Sequence, residues 1–215
     1  MTMPRRHLDA MLTSVPARVD QSVVWPVVKR GFDIGLAAVL LTLLAPTLLV
    51  IALILKRDSP GPAIFRQERY GRGGQRFTVL KFRTMKTDVS AEPHQRYIAA
   101  LAAGDGSGNG LKKLTGDPRV TRAGAFLRRT SLDELPQLVN VVRGQMSIIG
   151  PRPALDYELQ FYDEQHFERF SVRPGLTGLW QVEGRSELGF REMLDLDVQY
   201  ARAACARLDA KILWR

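Results

Sequence analysis

From Gly31 to Leu55 the chain is apolar at nearly every position, and Asp33 is the one charge in the run. No polar face interrupts it, so it does not read as an amphipathic surface helix. As one straight helix it would extend ~37 Å at 1.5 Å per residue, enough to cross a bilayer core. The alternative is a buried core helix, but a chain of 215 residues offers little protein to surround it. Pro46 falls near the middle and breaks the hydrogen-bond ladder there. Thr42 can accommodate some of the freed backbone polarity. Lys29 and Arg30 precede the run. Lys56 and Arg57 follow it, ahead of Arg66, Arg69, Arg72 and Arg76. Cations on both flanks favour the cytoplasmic side for both. A re-entrant helix–break–helix over 23–57 satisfies the charges and the proline together. It is preferred to a tilted crossing.

Beyond the apolar run the pattern changes period. Residues 1–22 mix polar, basic and small residues with two prolines, lack a cleavable signal pattern, and read as a mobile or surface-lying lead-in. Asp58-Ser-Pro-Gly-Pro62 is a rigid turn. Ala63–Arg69 and Phe77–Met85 flank a glycine-rich turn at 71–74 and predict a β-hairpin. Alternation places Lys81 and Arg83 on one strand face, either as a phosphate-binding pair or as a solvated face. The polar stretch 87–118, with Gly104-Asp-Gly-Ser-Gly-Asn-Gly110 at its centre, is a loop. It is either a lid or a plain excursion. Ala125–Arg129 predicts a short helix, and Asp156–Phe170 a helix rich in aromatics and acids. Residues 171–185 read as irregular backbone. Residues 187–203 predict a helix with Phe190, Met193, Leu194 and Val198 on one face. Trp180 and Trp214 suit either a membrane interface or a core. The whole is an α+β chain: a mostly helical, membrane-associated domain with a small β-hairpin and a catalytic unit over 58–215.

The chemistry concentrates between Arg128 and Pro153. Two arginines come first, then the adjacent carboxylates Asp133 and Glu134, then Pro136 ahead of an apolar run. Proline favours a first helical turn. That puts both acids just before a helix N-terminus, beside a place for a phosphate held by Arg128 or Arg129. Ser131-Leu-Asp-Glu134 also fits a capping box, which would make the acids structural. Pro136 then falls inside the helix, where it fits poorly.

The formal net charge of +9 implies an anionic partner: nucleic acid, anionic lipid or a phosphorylated substrate. One cysteine, Cys205, and three histidines make a disulfide framework or zinc cluster an unsuitable reading. Nucleic-acid binding is disfavoured by the apolar run and by few aromatics beside the basic clusters.

Seven stretches occur in order: Lys29-Arg-Gly-Phe-Asp33, Asp58-Ser-Pro-Gly-Pro62, Phe65-Arg-Gln-Glu-Arg69, Lys81-Phe-Arg-Thr-Met85, Ser131-Leu-Asp-Glu-Leu-Pro-Gln137, Gly150-Pro-Arg-Pro153 and Val172-Arg-Pro-Gly-Leu-Thr-Gly178. Together they resemble the bacterial sugar transferases, monotopic polyprenyl-phosphate phosphoglycosyl transferases, over about residues 27 to 215. The short N-terminus resembles the small form of that family. The resemblance implies transfer of a sugar-1-phosphate from a UDP-sugar to undecaprenyl phosphate, with release of UMP, at the cytoplasmic face of the bacterial inner membrane. It implies Asp133 as nucleophile and Glu134 as a ligand of Mg²⁺. Lys81, Arg83, Arg128, Arg152 and Arg185 would hold phosphates or the nucleotide, with Pro151 and Pro153 shaping the pocket around Arg152. Relatives often carry Ser-Pro at the hairpin break, where this chain has Ala45-Pro46. The chain also ends earlier than many relatives. The sugar, the glycan pathway and a homodimer are left open, and a scaffold with a degenerate site is the competing class.

Overall fold

The computed structural model describes residues 5–15, 24–86, 92–103, 117–184 and 188–215. The 104–110 loop and Arg185 lie outside these described residues. Within the stretch read as a lead-in, Arg5–Thr13 forms helix α1, whose Leu8 and Leu12 are buried in the main core. The long helix α2 spans Val24–Asp58. Strands β1 (Ile64–Tyr70) and β2 (Arg76–Phe82) pair antiparallel, as their alternation predicts. Helices α3 (Glu92–Ala102), α4 (Arg122–Thr130) and α5 (Gln137–Val142) follow. Strand β3 (Ser147–Ile149) pairs in parallel with β4 (Gly175–Thr177). Helices α6 (Leu179–Glu183), α7 (Phe190–Ala203) and α8 (Ala206–Trp214) complete the described chain.

Three expectations are corrected, the first being the loop over 87–118, within which Glu92–Ala102 forms helix α3. Asp156–Phe170 is not one helix but two tight helical segments, Asp156–Phe161 and Glu164–Ser171. Residues 171–185 are more regular than their glycines and prolines suggest, because they supply β4 and α6. Trp180 is buried in the core, whereas Trp214 is exposed. The predicted face of α7 holds, with Phe190, Met193, Leu194 and Val198 all buried.

Helix α2 runs unbroken through Pro46, so the predicted break is absent from its backbone. Nor does Thr42 satisfy the carbonyl that the proline leaves without a donor: its hydroxyl donates 2.9 Å to the Ala38 carbonyl, one turn earlier. The core-helix alternative is excluded by exposure. Val28, Phe32, Val39, Leu43, Leu49, Val50 and Ile54 face outward. The helix touches protein along one stripe only, in which Asp33, Ala37, Ile51 and Leu55 are buried and Leu36, Leu40, Leu41 and Leu48 are partly so.

Both ends of that stripe are fastened to the same body. Lys29 Nζ lies 2.7 Å from Asp209 Oδ2. Arg30 donates to the Val141 and Val142 carbonyls at the end of α5. Asp33 Oδ1 accepts 3.0 Å from the Ile148 N–H of β3. At the other end Arg83 donates to the carbonyls of Leu55, Ser59 and Pro60, closing the last turn of α2. Buried acceptors left without a donor cost ~1–3 kcal/mol each. Arg83→Ala is therefore expected to destabilise the protein by about 3 kcal/mol, read by thermal unfolding in detergent. An unchanged midpoint would remove the clasp from the account.

Candidate active site

Pro136 stands as the cap residue of α5, and Leu132–Glu134 forms a tight turn just before it. This turn is entered through Ser131, which adopts the left-handed conformation at φ 58°. Ser131 makes no side-chain cap bond. Glu134 does not reach back to close a capping box but points across to β2, where its Oε1 lies 3.0 Å from Lys81 Nζ. The acids thus sit ahead of α5, as the proline predicts.

Asn140 holds that geometry. It is fully buried on α5, and its side chain grips the edge of β2. Its Nδ2 donates to the Thr78 carbonyl at 2.7 Å, and its Oδ1 accepts from the Leu80 N–H at 3.1 Å. An amide side chain with donor and acceptor side by side substitutes for a missing neighbouring strand. The grip sets Lys81, the next residue on β2, against Glu134.

The register of the hairpin brings in a second cation. Phe65 pairs with Lys81, Gln67 with Val79 and Arg69 with Phe77, so Gln67, Arg69 and Lys81 share a face. Arg69 is buried and donates to the Pro153 carbonyl at 2.8 Å and to Gln67 Oε1 at 2.7 Å. Burial, then repulsion from Arg152, pushes its guanidinium down to about 10, against the pull of Glu158 and Glu134. Lys81 is likewise held below the ordinary lysine value by burial. Glu134 opposes that shift, and Arg69 and Arg152 reinforce it.

Arg152 arrives on the Gly150-Pro-Arg-Pro153 loop. Backbone contacts clamp this loop to the Arg173-Pro-Gly-Leu-Thr-Gly178 stretch: Gly150 N donates to the Thr177 carbonyl at 2.9 Å and Gly175 N to the Pro151 carbonyl at 2.8 Å. A Cβ on Gly175 would fall 2.1 Å from Gly150 N, and one on Gly178 2.4 Å from Gly150 O. The glycines serve this close approach. Arg169, paired with Asp197 in the interior, donates 2.6 Å to the Arg152 carbonyl. The Arg152 side chain reaches buried Glu158 at 3.4 Å.

His94 on α3 completes the described surroundings. Its Nδ1 lies 2.6 Å from the Tyr157 hydroxyl. Burial, and then the charge of Arg152, lowers it to about 4. An unfolded histidine titrates near ~6.5. Between those values the unfolded chain binds more protons, so stability falls as pH drops through that window. His94→Gln is expected to remove this part of the acid loss. The gap in melting temperature between parent and variant should narrow from pH 7 to pH 4, and a constant gap would sink the idea.

Of the residues named from the resemblance, the structure gathers Glu134, Lys81, Arg152, Pro151 and Pro153, and it adds Arg69, Glu158 and His94. Arg83 is not among them. It falls beyond the end of β2, and its guanidinium closes α2 instead of facing Lys81. Arg128 is half-buried in the last turn of α4, and its field acts on Asp117. Asp133 is buried, at 6 % exposure, and next in sequence stands part-exposed Glu134, which pairs with Lys81. Among the described residues, no three His, Cys, Asp or Glu side chains converge as a metal cage.

Residues 24–215 match the model of the family described as bacterial sugar transferase. The chain belongs to that family. It is 41 % identical over 174 residues to the exopolysaccharide production protein ExoY of Rhizobium meliloti, covering 81 % of this chain and 76 % of that one. It is 43 % identical over 190 residues to the UDP-glucose:undecaprenyl-phosphate glucose-1-phosphate transferase of Caulobacter vibrioides, covering 87 % and 64 %. It is 41 % identical over 187 residues to a UDP-galactose-lipid carrier transferase of Erwinia amylovora, covering 87 % of this chain but 39 % of that one. Relatives of the ExoY kind are thus matched over most of their length, and several others over less than half.

Within this bacterial sugar transferase, four site residues escaped the sequence reading: Arg69, Glu158, Asn140 and His94. Arg69 lies inside a motif noted for its resemblance; its two-residue offset from Gln67 puts those two on one strand face, but only the hairpin register shows that this is the Lys81 face. Glu158 and Asn140 carried no such signal. Their roles depend on which backbone groups the fold brings within reach.

Proposed function

We propose that this chain transfers a sugar-1-phosphate from a UDP-hexose to undecaprenyl phosphate, releasing UMP, at the cytoplasmic face of the bacterial inner membrane. The observation that carries this is the shortage of negative charge around Glu134. Burial first, and then the mutual repulsion of Lys81, Arg69 and Arg152, lowers the affinity of Arg69 and Lys81 for their protons, and Glu134 and Glu158 are acids opposing that shift. A diphosphate entering there supplies the missing anions. The names of relatives point to the same substrates, with glucose and galactose as the sugars to try first.

In the first half-reaction an Asp133 carboxylate oxygen bonds to the phosphorus that bears the sugar. The bond from that phosphorus to the bridging oxygen breaks, and UMP leaves with the electron pair. In the second, an oxygen of undecaprenyl phosphate attacks the same phosphorus and the Asp133 carboxylate departs unchanged. Splitting one difficult displacement into two in this way is the benefit of a covalent intermediate. Because Asp133 is enclosed, substrate must displace what covers it. An anion stripped of water is the better nucleophile once the surrounding cations have screened the diphosphate. Lys81 and Arg69 bind phosphate oxygens. Pro151 and Pro153 fix the loop that presents Arg152; the phosphate-holding roles of Arg128 and Arg185 rest on the family resemblance alone.

Magnesium fits this donor set in one form only. Mg²⁺ is commonly held by one or two carboxylates together with substrate phosphates, and Glu134 beside Asp133 offers that and no complete protein cage. Glu134 would hold it, and when bound it supplies a Lewis acid that neutralises developing charge on the diphosphate.

For the membrane, the proposal is a helix that lies against the lipid from one side. The stripe from Asp33 to Leu55 follows the protein body for ~33 Å, and its opposite face is apolar and exposed. A helix crossing a bilayer end-on would leave one of its two ends far from that body. Both flanks would instead stay cytoplasmic, and a re-entrant path would require the helix, unbroken at Pro46 in this structure, to bend at that proline in the bilayer. Exposed Cys205 must first be replaced. Single cysteines near residues 22 and 60 should then both react with an impermeant reagent only from the cytoplasmic side, and labelling from opposite sides would mean a true crossing. The activity itself is tested by UMP release from a panel of UDP-sugars with undecaprenyl phosphate and Mg²⁺. No release from any of them would return the chain to the scaffold class.

A further inference from the structure

A second basic cavity lies elsewhere, beside the start of α2. It has a volume of about 190 Å³, and its walls include Trp25, Lys29, Asp33, Arg72, Arg173 and Tyr200. None of its wall residues belongs to the cluster around Lys81 and Glu134. That volume falls below the ~300–1,000 Å³ of sites for drug-sized ligands. It suits a phosphate headgroup and is small for a nucleotide.

The wall charges do not balance. Lys29 is answered by Asp209, and the one wall carboxylate, Asp33, already accepts from the backbone of β3. Arg72 and Arg173 then face each other, with Arg30 close behind. Arg173 is held below the ordinary arginine value by burial first, then by Arg72 and Arg30, with Asp33 opposing. Its Nε is taken up by the Gly144 carbonyl at 3.0 Å, which leaves the two terminal nitrogens of its fork to meet an anion. An independent sign comes from Trp25. Its indole N–H is enclosed and has no acceptor among the described residues, and such a donor is normally satisfied when buried. Next to the cavity, Val28 and Phe32 stand exposed on α2, one helical turn apart on a single stripe.

We propose that this cavity binds the phosphate headgroup of an anionic phospholipid, with the acyl chains running along Val28 and Phe32. The ligand is resident and not a reactant, because its phosphate contacts residues separate from those around Glu134. It seats the start of the apolar helix against the membrane surface by charge-assisted hydrogen bonds from Arg72 and Arg173 and one from Trp25. This is independent of which sugar is transferred, or whether any is.

The test uses the full chain in nanodiscs of mixed phosphatidylcholine and phosphatidylglycerol, with retained lipid counted by native mass spectrometry. One phosphatidylglycerol should remain bound in preference to phosphatidylcholine. Arg72 is exposed, and its guanidinium makes no hydrogen bond among the described residues, so Arg72→Glu should leave the melting temperature unchanged. It should lower phosphatidylglycerol retention by at least about fivefold, on the scale of one cation near an anionic surface. Trp25→Phe, which keeps the ring and deletes the donor, should lower it as well. Three results would overturn the assignment: equal retention of the two lipids, retention unaffected by both variants, or release of the lipid by inorganic phosphate. The last would make it a site for free anions. Release by undecaprenyl phosphate would overturn the resident role by making the cavity an acceptor site.

Discussion

Asp133→Asn is expected to lower the rate of UMP release by at least about 10⁴-fold, in line with the loss of a covalent nucleophile. The substitution is nearly isosteric, and Asp133 is buried, so the chain should fold and still partition to membranes. The decisive measurement is covalent. Incubation with a UDP-sugar labelled in the sugar should mark the parent chain and leave the Asn variant unmarked. If the variant still takes up label, the nucleophile is another residue and Asp133 must be reassigned. Glu134→Gln provides the contrast. It removes the partner of Lys81 and, on the proposed role of Glu134, would weaken Mg²⁺ binding without deleting the proposed attacking oxygen, so label should still appear, slowly, and more readily at raised Mg²⁺.

Gly175→Ala should produce the largest loss of stability. The new Cβ would lie 2.1 Å from Gly150 N, 2.5 Å from the Thr177 carbonyl oxygen and 2.7 Å from the Ile149 carbonyl carbon. All three are backbone atoms, so no side chain can rotate out of the way. The parallel pair β3–β4 must part, and the bonds from Ser147 N to the Pro174 carbonyl and from Gly175 N to the Pro151 carbonyl go with it. Overpacking of this kind costs ~1–3 kcal/mol even where side chains can yield. A loss of about 3 kcal/mol or more is expected, measured by chemical or thermal unfolding. Arg152 would lose its fixed place, so activity should fall further than the unfolded fraction accounts for. Gly31→Ala is the control: nothing lies within 4 Å of its Cβ, and its unfolding midpoint should not fall. Equal behaviour of the two variants would mean that the close approach of the loops does not hold the site.

Much of this molecule was determined by its sequence alone, for local reasons. The apolar run requires a helix exposed to lipid or wrapped in protein. The alternation around the glycine-rich turn requires a hairpin. Pro136 stops the preceding turn and starts α5, which leaves Asp133 and Glu134 together at that junction. These outcomes depend on backbone chemistry and periodicity within a dozen residues, and they survive folding.

Other features were decided by tertiary structure. Every face of α2 is apolar, so composition could not mark which stripe would lie on the body. Asp33, Arg30 and Arg83 decide it by hydrogen bonds to residues far along the chain. The same long-range contact explains Arg83, whose alternation with Lys81 suggested a shared phosphate face. Its guanidinium goes instead to the carbonyls that α2 leaves unpaired at its end. The glycines of 172–178 looked like irregular backbone because that stretch, read singly, lacks its partner at 147–151. Only when β3 and β4 lie side by side does their smallness have a use. Arg69, Glu158 and Asn140 joined the site for the same reason: charge and hydrogen-bond capacity are local properties, but the group that receives them is chosen by the fold.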